Sequence, residues 1–159
     1  MKRRIAAYLA SALIVAGLLF CALARPARTK ADVVVAAALA ELGDKYVLAA
    51  CEPGHAFDCS ALVSYCYNRI GVEFRPLAVA IGYTEMFDRV YDLGRLQRGD
   101  IACFDTVTDN DLSDHVGICL GGGYFIHASS AAGRVVITPL CAYEDVFSWG
   151  IDMQSALRD

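Results

Sequence analysis

The chain has 159 residues, enough for one domain with a sizeable core, and 57% of them are hydrophobic. Fourteen basic residues stand against eighteen acidic ones, a net charge of −4 with the histidines neutral. With no basic stripe, nucleic acid is excluded as the expected partner, and charge alone would not hold the chain to an anionic envelope.

Lys2, Arg3 and Arg4 precede an uncharged run from Ile5 to Ala24 that ends in Ala22-Leu23-Ala24. A basic start, an apolar stretch and an Ala-x-Ala ending describe a secretory signal peptide. The run is 20 residues long, which also suffices to span a bilayer. Residues 1–24 are therefore expected to be a signal peptide or an uncleaved N-terminal membrane anchor. The rest is expected outside the cytoplasm, extracellular or in the cell envelope. Cys21 follows Phe20, which is too large for a good lipidation signal. Cleavage after Ala24 leaves eleven basic residues against eighteen acids, a net charge of −7.

Residues 25–31, with Pro26, read as a linker and residues 32–159 as the folded domain. Asp32 is positioned to cap a helix through Val33, Val34, Ala37, Ala38 and Leu42, stopped by Gly43. Tyr46 to Phe57 is loop-like, with Pro53-Gly54 as a turn. Beyond it, Ala61, Leu62, Val63, Tyr65, Cys66, Tyr67 and Ile70 recur at spacings of three and four, which predicts an amphipathic helix. Asp58 is its N-cap and Gly71 closes it. Cys59 then sits at the helix start, where unsatisfied amides and the macrodipole favour thiolate over thiol.

A further helix is expected from Leu77 to about Asp88, and Val90 to Gly94 is extended or turning. Arg98-Gly99-Asp100 forms a turn that launches the strand Ile101 to Phe104, and Thr106 to Asp114 is a polar loop. Three strand-like runs follow, His115 to Leu120, Tyr124 to Ala128 and Val135 to Pro139, separated by Gly121-Gly122-Gly123 and Ala132-Gly133. Cys141 to Phe147 reads as a helical turn and Trp149 to Met153 as a last strand. Helices first and hairpins afterwards describe an α+β domain with an antiparallel sheet.

The glycine triplet permits a geometric test. A hairpin turning symmetrically about Gly122 sets His127 opposite Gly117. His115, Gly117, Cys119, Phe125 and His127 then share one face. The histidines become diagonal neighbours with backbones roughly 7–8 Å apart, and Gly117 leaves room between them. A two-residue loop would flip the parity and separate them. A cysteine–histidine pair needs the second imidazole nitrogen held by a partner, so that the first points at the sulfur in the right tautomer. His127 can hold His115 in this way, which makes Cys59, His115 and His127 the candidate catalytic residues.

Seven cysteines in an exported chain ordinarily suggest disulfides. Setting aside Cys21 and Cys59 leaves an odd set, Cys51, Cys66, Cys103, Cys119 and Cys141, several of them in apolar runs where cysteine acts as a small buried hydrophobe. No complete disulfide framework is expected, and one bridge stays open. Cys51, His55, Cys59 and Cys66 form a rival metal-binding reading, but Pro53-Gly54 interrupts any helix there and no Cys-x-x-Cys pair exists. Asp109, Asp111 and Ser113 begin like a calcium loop without its glycine or closing glutamate. No metal or other cofactor is expected. The acidic loop, with Asp105 and Asp114, is expected at a cleft rim, where it would attract a substrate amine.

Phe57-Asp58-Cys59-Ser60, Leu96-x-x-Gly99-Asp100-Ile101, His115-Val116-Gly117-Ile118-x-Leu120-Gly121 and Phe125-Ile126-His127-Ala128 together resemble the NlpC/p60 cell-wall endopeptidases. The resemblance covers about residues 31 to 153. It implies a papain-like cysteine peptidase fold, N-terminal helices packed on an antiparallel sheet, with the nucleophile at a helix N-terminus. It implies Cys59 as nucleophile, His115 as general base and acid, and His127 as the orienting third member. Tyr46, Asp58 and Ser60 match positions on the substrate side, although Tyr46 is equally readable as a core aromatic, Asp58 as a plain N-cap and Ser60 as a first-turn residue. The implied reaction is hydrolysis of peptidoglycan stem peptides, typically at the γ-D-glutamyl-diamino acid bond, by a bacterial monomer.

The chain also departs from that pattern. The family's Tyr-x-Trp-Gly-Gly stands here as Tyr46-Val47-Leu48-Ala49-Ala50, Asp-Cys-Ser-Gly as Asp58-Cys59-Ser60-Ala61, and the proline before Gly99 is Arg98. These changes spare the triad and bear on the pocket. A catalytically silent or retargeted wall-binding domain, and an amidase or transpeptidase on another amide, are the alternatives they leave.

Overall fold

The computed structural model describes residues 29–74, 86–107 and 113–158. The leader, most of the helix expected from Leu77, and Asp109 and Asp111 of the polar loop lie outside the described residues. Helix α1 (Lys30–Ala40) is followed by β1 (Lys45–Tyr46), β2 (Cys51–Glu52), β3 (Ala56–Phe57) and α2 (Cys59–Asn68). Then come β4 (Arg89–Val90), β5 (Ile101–Phe104), β6 (His115–Gly121), β7 (Tyr124–Ser129), β8 (Arg134–Pro139), β9 (Phe147–Ile151) and a short α3 (Gln154–Leu157). The strands form one sheet in the order β2-β3-β1-β8-β7-β6-β5-β9-β4. This is the α+β papain-like architecture the sequence implied.

The last strand runs Phe147–Ile151 rather than Trp149 to Met153, and three further details differ from the sequence reading. Helix α1 begins at Lys30, three residues earlier than expected, because Thr29 and not Asp32 is the cap. Its hydroxyl accepts from the Asp32 amide at 3.2 Å while the Asp32 carboxylate accepts from the Thr29 amide at 3.3 Å, a reciprocal box in which Asp32 is the third helical residue. The sheet is mixed rather than purely antiparallel, since β1 and β3 run parallel with Lys45 opposite Ala56 and Tyr46 opposite Phe57. The Tyr46–Phe57 stretch is thus a compact set of two-residue strands, and this pairing carries Tyr46 to the residue just before Asp58-Cys59.

The alternation of the strands divides the interior in two. Val34, Val35 and Ala38 of α1 and Leu62, Val63, Cys66 and Tyr67 of α2 pack with Ile101, Cys103, Val116, Ile118, Ile126, Ala128 and Ile151 of the sheet. A smaller cluster, Ala102, Phe104, Cys119, Phe125 and Leu140, is formed by residues of the alternate parity. Asp100, at the launch of β5, accepts from the Gln97 amide at 2.8 Å, the Met153 amide at 3.1 Å and the Gln154 side chain at 2.8 Å. That carboxylate ties the Arg98-Gly99-Asp100 turn to the chain leaving β9.

The β6–β7 hairpin keeps the register deduced from the glycine triplet, with Ile118 opposite Ile126 and Cys119 opposite Phe125. A bulge between Cys119 and Gly121 shifts only the tip. Among the described residues no helix is long and apolar enough to cross a membrane. The cysteines at 51, 59, 66, 103, 119 and 141 are all free, with Cys66, Cys103 and Cys119 buried as small hydrophobes whose thiols burial pushes up.

Candidate active site

Cys59 is the first residue of α2, and Asp58 caps that helix through an Oδ1 that accepts from the Ala61 amide at 2.7 Å. The same oxygen accepts from the Ser60 hydroxyl at 2.9 Å, and Oδ2 accepts from the Ala49 amide at 2.9 Å. Asp58 is only 2% exposed, so its carboxylate serves first as a brace joining the nucleophile helix to the preceding loop. Ser60, also buried, is part of the same brace.

The backbone amides of Val116, Ser60 and Cys59 itself favour the charged form of the Cys59 sulfur. Val116 follows His115 in β6, so the sulfur lies against the strand at the residue next to that imidazole. The expectation of a thiolate stabilised outright by the helix start is corrected here. Burial pushes the Cys59 thiol up, the three amides pull it down, and the Asp58 charge adds to the rise. Desolvation of the charged form outweighs the helix start, and ionisation must be coupled to proton transfer.

His115 Nε2 and His127 Nδ1 are 2.6 Å apart, and His127 Nε2 is 3.0 Å from Thr138 Oγ1. Burial lowers His115 to about 4, with the Asp114 charge opposing, and lowers His127 to about 3, with the neighbouring His115 adding to the fall. Both imidazoles are therefore neutral at pH 7, and one chain of hydrogen bonds leaves His115 able to accept a proton. In that chain His115 Nε2–H would donate to His127 Nδ1 and His127 Nε2–H to the Thr138 hydroxyl, which would leave the lone pair of His115 Nδ1 free. Gly117 permits this approach, since a Cβ on it would fall 3.0 Å from His127 Cβ, 2.9 Å from the Ile126 carbonyl oxygen and 2.6 Å from Phe125 Cδ2.

Aromatic rings enclose the imidazoles. Phe125 stacks on His127 with centroids 4.4 Å apart, Phe104 lies 6.2 Å from His115, and Tyr143 lies 6.3 Å from His115 and 5.5 Å from His127. Thr138 and Tyr143 were not singled out from the sequence. Thr138 had a signal: applying the hairpin symmetry to β7 and β8 sets it opposite Phe125, as observed, and diagonal to His127. Tyr143 had none, because it lies on a 3-10 segment (Leu140–Val146) whose return to the site is tertiary.

Tyr46 is half-buried in β1, and its phenol is pushed up by burial and then by the charges of Cys59 and Asp58, which sets it within electrostatic reach of both. The residues after it form a turn in which the Ala50 amide donates to the Val47 carbonyl at 3.1 Å. Ala49 holds φ +64°, the only positive φ outside glycine among the described residues, at a position where such turns ordinarily require glycine. This is the first of the two glycines missing from the resemblance. Ala49→Gly is expected to stabilise the domain by about 0.5–1 kcal/mol, relief of the left-handed penalty partly offset by unfolded-state entropy. A thermal melt should rise by roughly 2–4 °C. Leu48, in place of the tryptophan, is 74% exposed.

Arg98, in place of the proline, pairs with Asp32 at 3.1 Å and donates to the Leu120 carbonyl at 2.9 Å, a role in the fold rather than the site. Asp114 accepts from the Thr106 amide at 2.9 Å and hydroxyl at 2.8 Å, which fixes the described end of the acidic loop beside His115. Among the described residues no group of three or more histidine, cysteine, aspartate or glutamate side chains converges as a metal site.

Comparison with known proteins identifies the family. The NlpC/P60 family model matches residues 43–146. The probable endopeptidase YafL of Escherichia coli is 32% identical over 100 residues, covering 63% of this chain and 40% of that protein. The peptidoglycan DL-endopeptidase CwlO of Bacillus licheniformis is 35% identical over 80 residues, 48% of this chain and 16% of CwlO. The chain thus spans less than half the length of either relative. Among solved structures, NlpC1 from Trichomonas vaginalis superposes with a TM-score of 0.69 at 28% identity, over 80% of this chain and 45% of that one. With the family model spanning most of the chain and the same fold in its solved neighbours, this chain belongs to the NlpC/P60 family.

Proposed function

We propose that the chain is an exported cysteine endopeptidase that cuts peptidoglycan stem peptides at the γ-D-glutamyl-diamino acid bond, with Cys59, His115 and His127 as its catalytic residues. The observation that carries this reading is the hydrogen-bonded chain His115–His127–Thr138, which begins at the residue next to Val116, whose amide favours the Cys59 thiolate. CwlO, a relative, is named a peptidoglycan DL-endopeptidase, and the γ-D-glutamyl-diamino acid bond joins a D to an L centre.

In this mechanism His115 Nδ1 takes the Cys59 proton as the sulfur attacks the scissile carbonyl carbon. The imidazolium so formed strengthens its hydrogen bond to His127 Nδ1, and the Thr138 hydroxyl accepts from His127 Nε2–H in the tautomer this requires. The Cys59 amide at the start of α2 is positioned to stabilise the oxyanion. His115 then returns its proton to the leaving amine of the diamino acid, leaving the γ-glutamyl acyl group as a thioester on Cys59. Water, deprotonated by the neutral His115, releases it. Tyr46 is assigned to the amino-terminal side of the substrate, with Asp58 and Ser60 holding the loop that carries it.

Thr138→Val removes the last acceptor of the relay. A neutral hydrogen bond is worth about 1 kcal/mol, so kcat is expected to fall about fivefold with KM unchanged in steady-state assays on a soluble stem peptide.

The bond is tested by incubating the protein with purified muropeptides and sequencing the products by mass spectrometry. A new amine on the diamino acid and a free γ-carboxyl on D-glutamate support the proposal. Cleavage at another amide would assign the altered Tyr46–Ala50 loop to a different substrate. Retention of muropeptides without cleavage by a folded protein would favour a silent wall-binding module.

A further inference from the structure

We propose that Tyr143 is a positioning residue of this site: its half-buried ring shields the paired imidazoles from solvent and keeps the His115–His127 hydrogen bond dry. The inference rests on the reading of Cys59, His115 and His127 as catalytic.

The 3-10 segment that carries Tyr143 is pinned at both ends. At its start the Leu140 amide donates to the Gly123 carbonyl at 2.8 Å, and at its end the Val146 carbonyl accepts from the Asp105 amide at 2.8 Å. Between these anchors Cys141, Ala142, Glu144 and Asp145 are exposed, and Tyr143 alone is half-buried. Its ring stands edge-on to His127, with an interplanar angle of 78°, and stacks at 29° on His115. It also meets Phe104 at 5.1 Å and Phe125 at 5.3 Å. Phe104 and Phe125 are fully buried, so of the three rings around the imidazoles Tyr143 is the one with water behind it. The hydroxyl makes no hydrogen bond to the described residues, which leaves the ring as the working part.

The titratable groups around His115 and His127 are Cys59 from the start of α2, Asp114 preceding β6, each other, and Tyr143 itself. Asp114 favours a charged His115, and dehydration outweighs it. Removing the ring admits water, stabilises the imidazolium forms and moves both histidines toward their ordinary range. Because the proposed base is neutral His115, the ascending limb of kcat/KM would move to higher pH.

The test uses the full chain labelled at its three histidines and follows the His115 and His127 ring signals by NMR against pH. In the wild type and in Tyr143→Phe, the His115 and His127 signals are expected not to titrate above about pH 5. In Tyr143→Ala both midpoints rise by about one pH unit or more. Tyr143→Val, a smaller truncation with the same expected direction, decides the matter should the alanine variant not fold. Titrations in the truncated variant that superpose on the wild type would overturn the proposal, and so would a Tyr143→Phe shift as large as that of alanine. The readout needs no turnover, so failure of the peptidase reading would leave it separately visible.

Discussion

Cys59→Ala is expected to abolish stem-peptide cleavage, by at least about 10⁴-fold in kcat, while leaving a folded protein. The two halves of that expectation have separate causes. The sulfur is the only atom lost, and the helix it begins is held by Asp58, whose contacts to Ala61, Ser60 and Ala49 do not involve the Cys59 side chain. A small half-buried side chain is removed, so the stability cost is about 1 kcal/mol. Turnover, by contrast, has no second nucleophile to fall back on, because the thioester step requires that sulfur. Cys59→Ser is expected to be nearly as poor. Its hydroxyl ionises far less readily than a thiol, and the same desolvation that raises Cys59 acts on it. A circular dichroism spectrum and melt, measured beside the product assay, separate loss of chemistry from loss of fold.

Gly117→Ala is expected to be the most damaging single methyl group in the sheet. The added Cβ would meet Phe125 at 2.6 Å, the Ile126 carbonyl at 2.9 Å and His127 Cβ at 3.0 Å. The first is a packed ring with no exposure and the second is backbone in a paired strand, so neither yields cheaply. Overpacking of this kind costs about 3 kcal/mol, a fall in melting temperature of roughly 10 °C. Any relaxation pushes β7 from β6 at the histidine pair and lengthens the 2.6 Å contact. Activity should therefore fall well beyond the unfolded fraction, at least tenfold at a temperature where the variant is folded. An alanine variant that melts and turns over like the wild type would show that the close approach of β6 and β7 is not needed.

Much of this site was legible in the sequence, for reasons that differ by residue. Strand alternation and a glycine triplet were enough to bring His115 and His127 to one face, because period two and a symmetric turn leave one register. Asp58 as cap and Cys59 as first helical residue followed from helix-start chemistry, a local property. The Tyr46–Phe57 stretch was not legible as sheet, since two-residue strands carry no period and the parallel pairing of β1 with β3 is made by the fold. The Thr29 cap was legible and passed over: Thr29-x-x-Asp32 is a capping-box spacing. The raised thiol of Cys59 could not be read at all, because the amide donors are local while the burial that opposes them comes from the whole domain.

The triad and the departures around it bear on different properties. Leu48, Ala49 and Ala50 alter the loop beside Tyr46, and Ala61 and Arg98 alter the helix start and the β5 turn, yet none of them touches the His115–His127–Thr138 chain. Substrate choice is where this member is expected to diverge, with an exposed Leu48 two residues after Tyr46 in place of an aromatic ring. The reaction coordinate is expected to be that of a cysteine–histidine acyl transfer.

The most direct measurement is to trap the acyl-enzyme. Wild-type protein is mixed with a stem peptide containing γ-D-glutamyl-diamino acid, quenched in acid within the first turnover, digested and mapped by mass spectrometry. The account predicts the amino-terminal fragment, ending in γ-D-glutamate, attached to Cys59 and to no other cysteine, and absent in Cys59→Ala along with the released product. Undiminished cleavage by Cys59→Ala, or turnover with the fragment on a different residue, would contradict it.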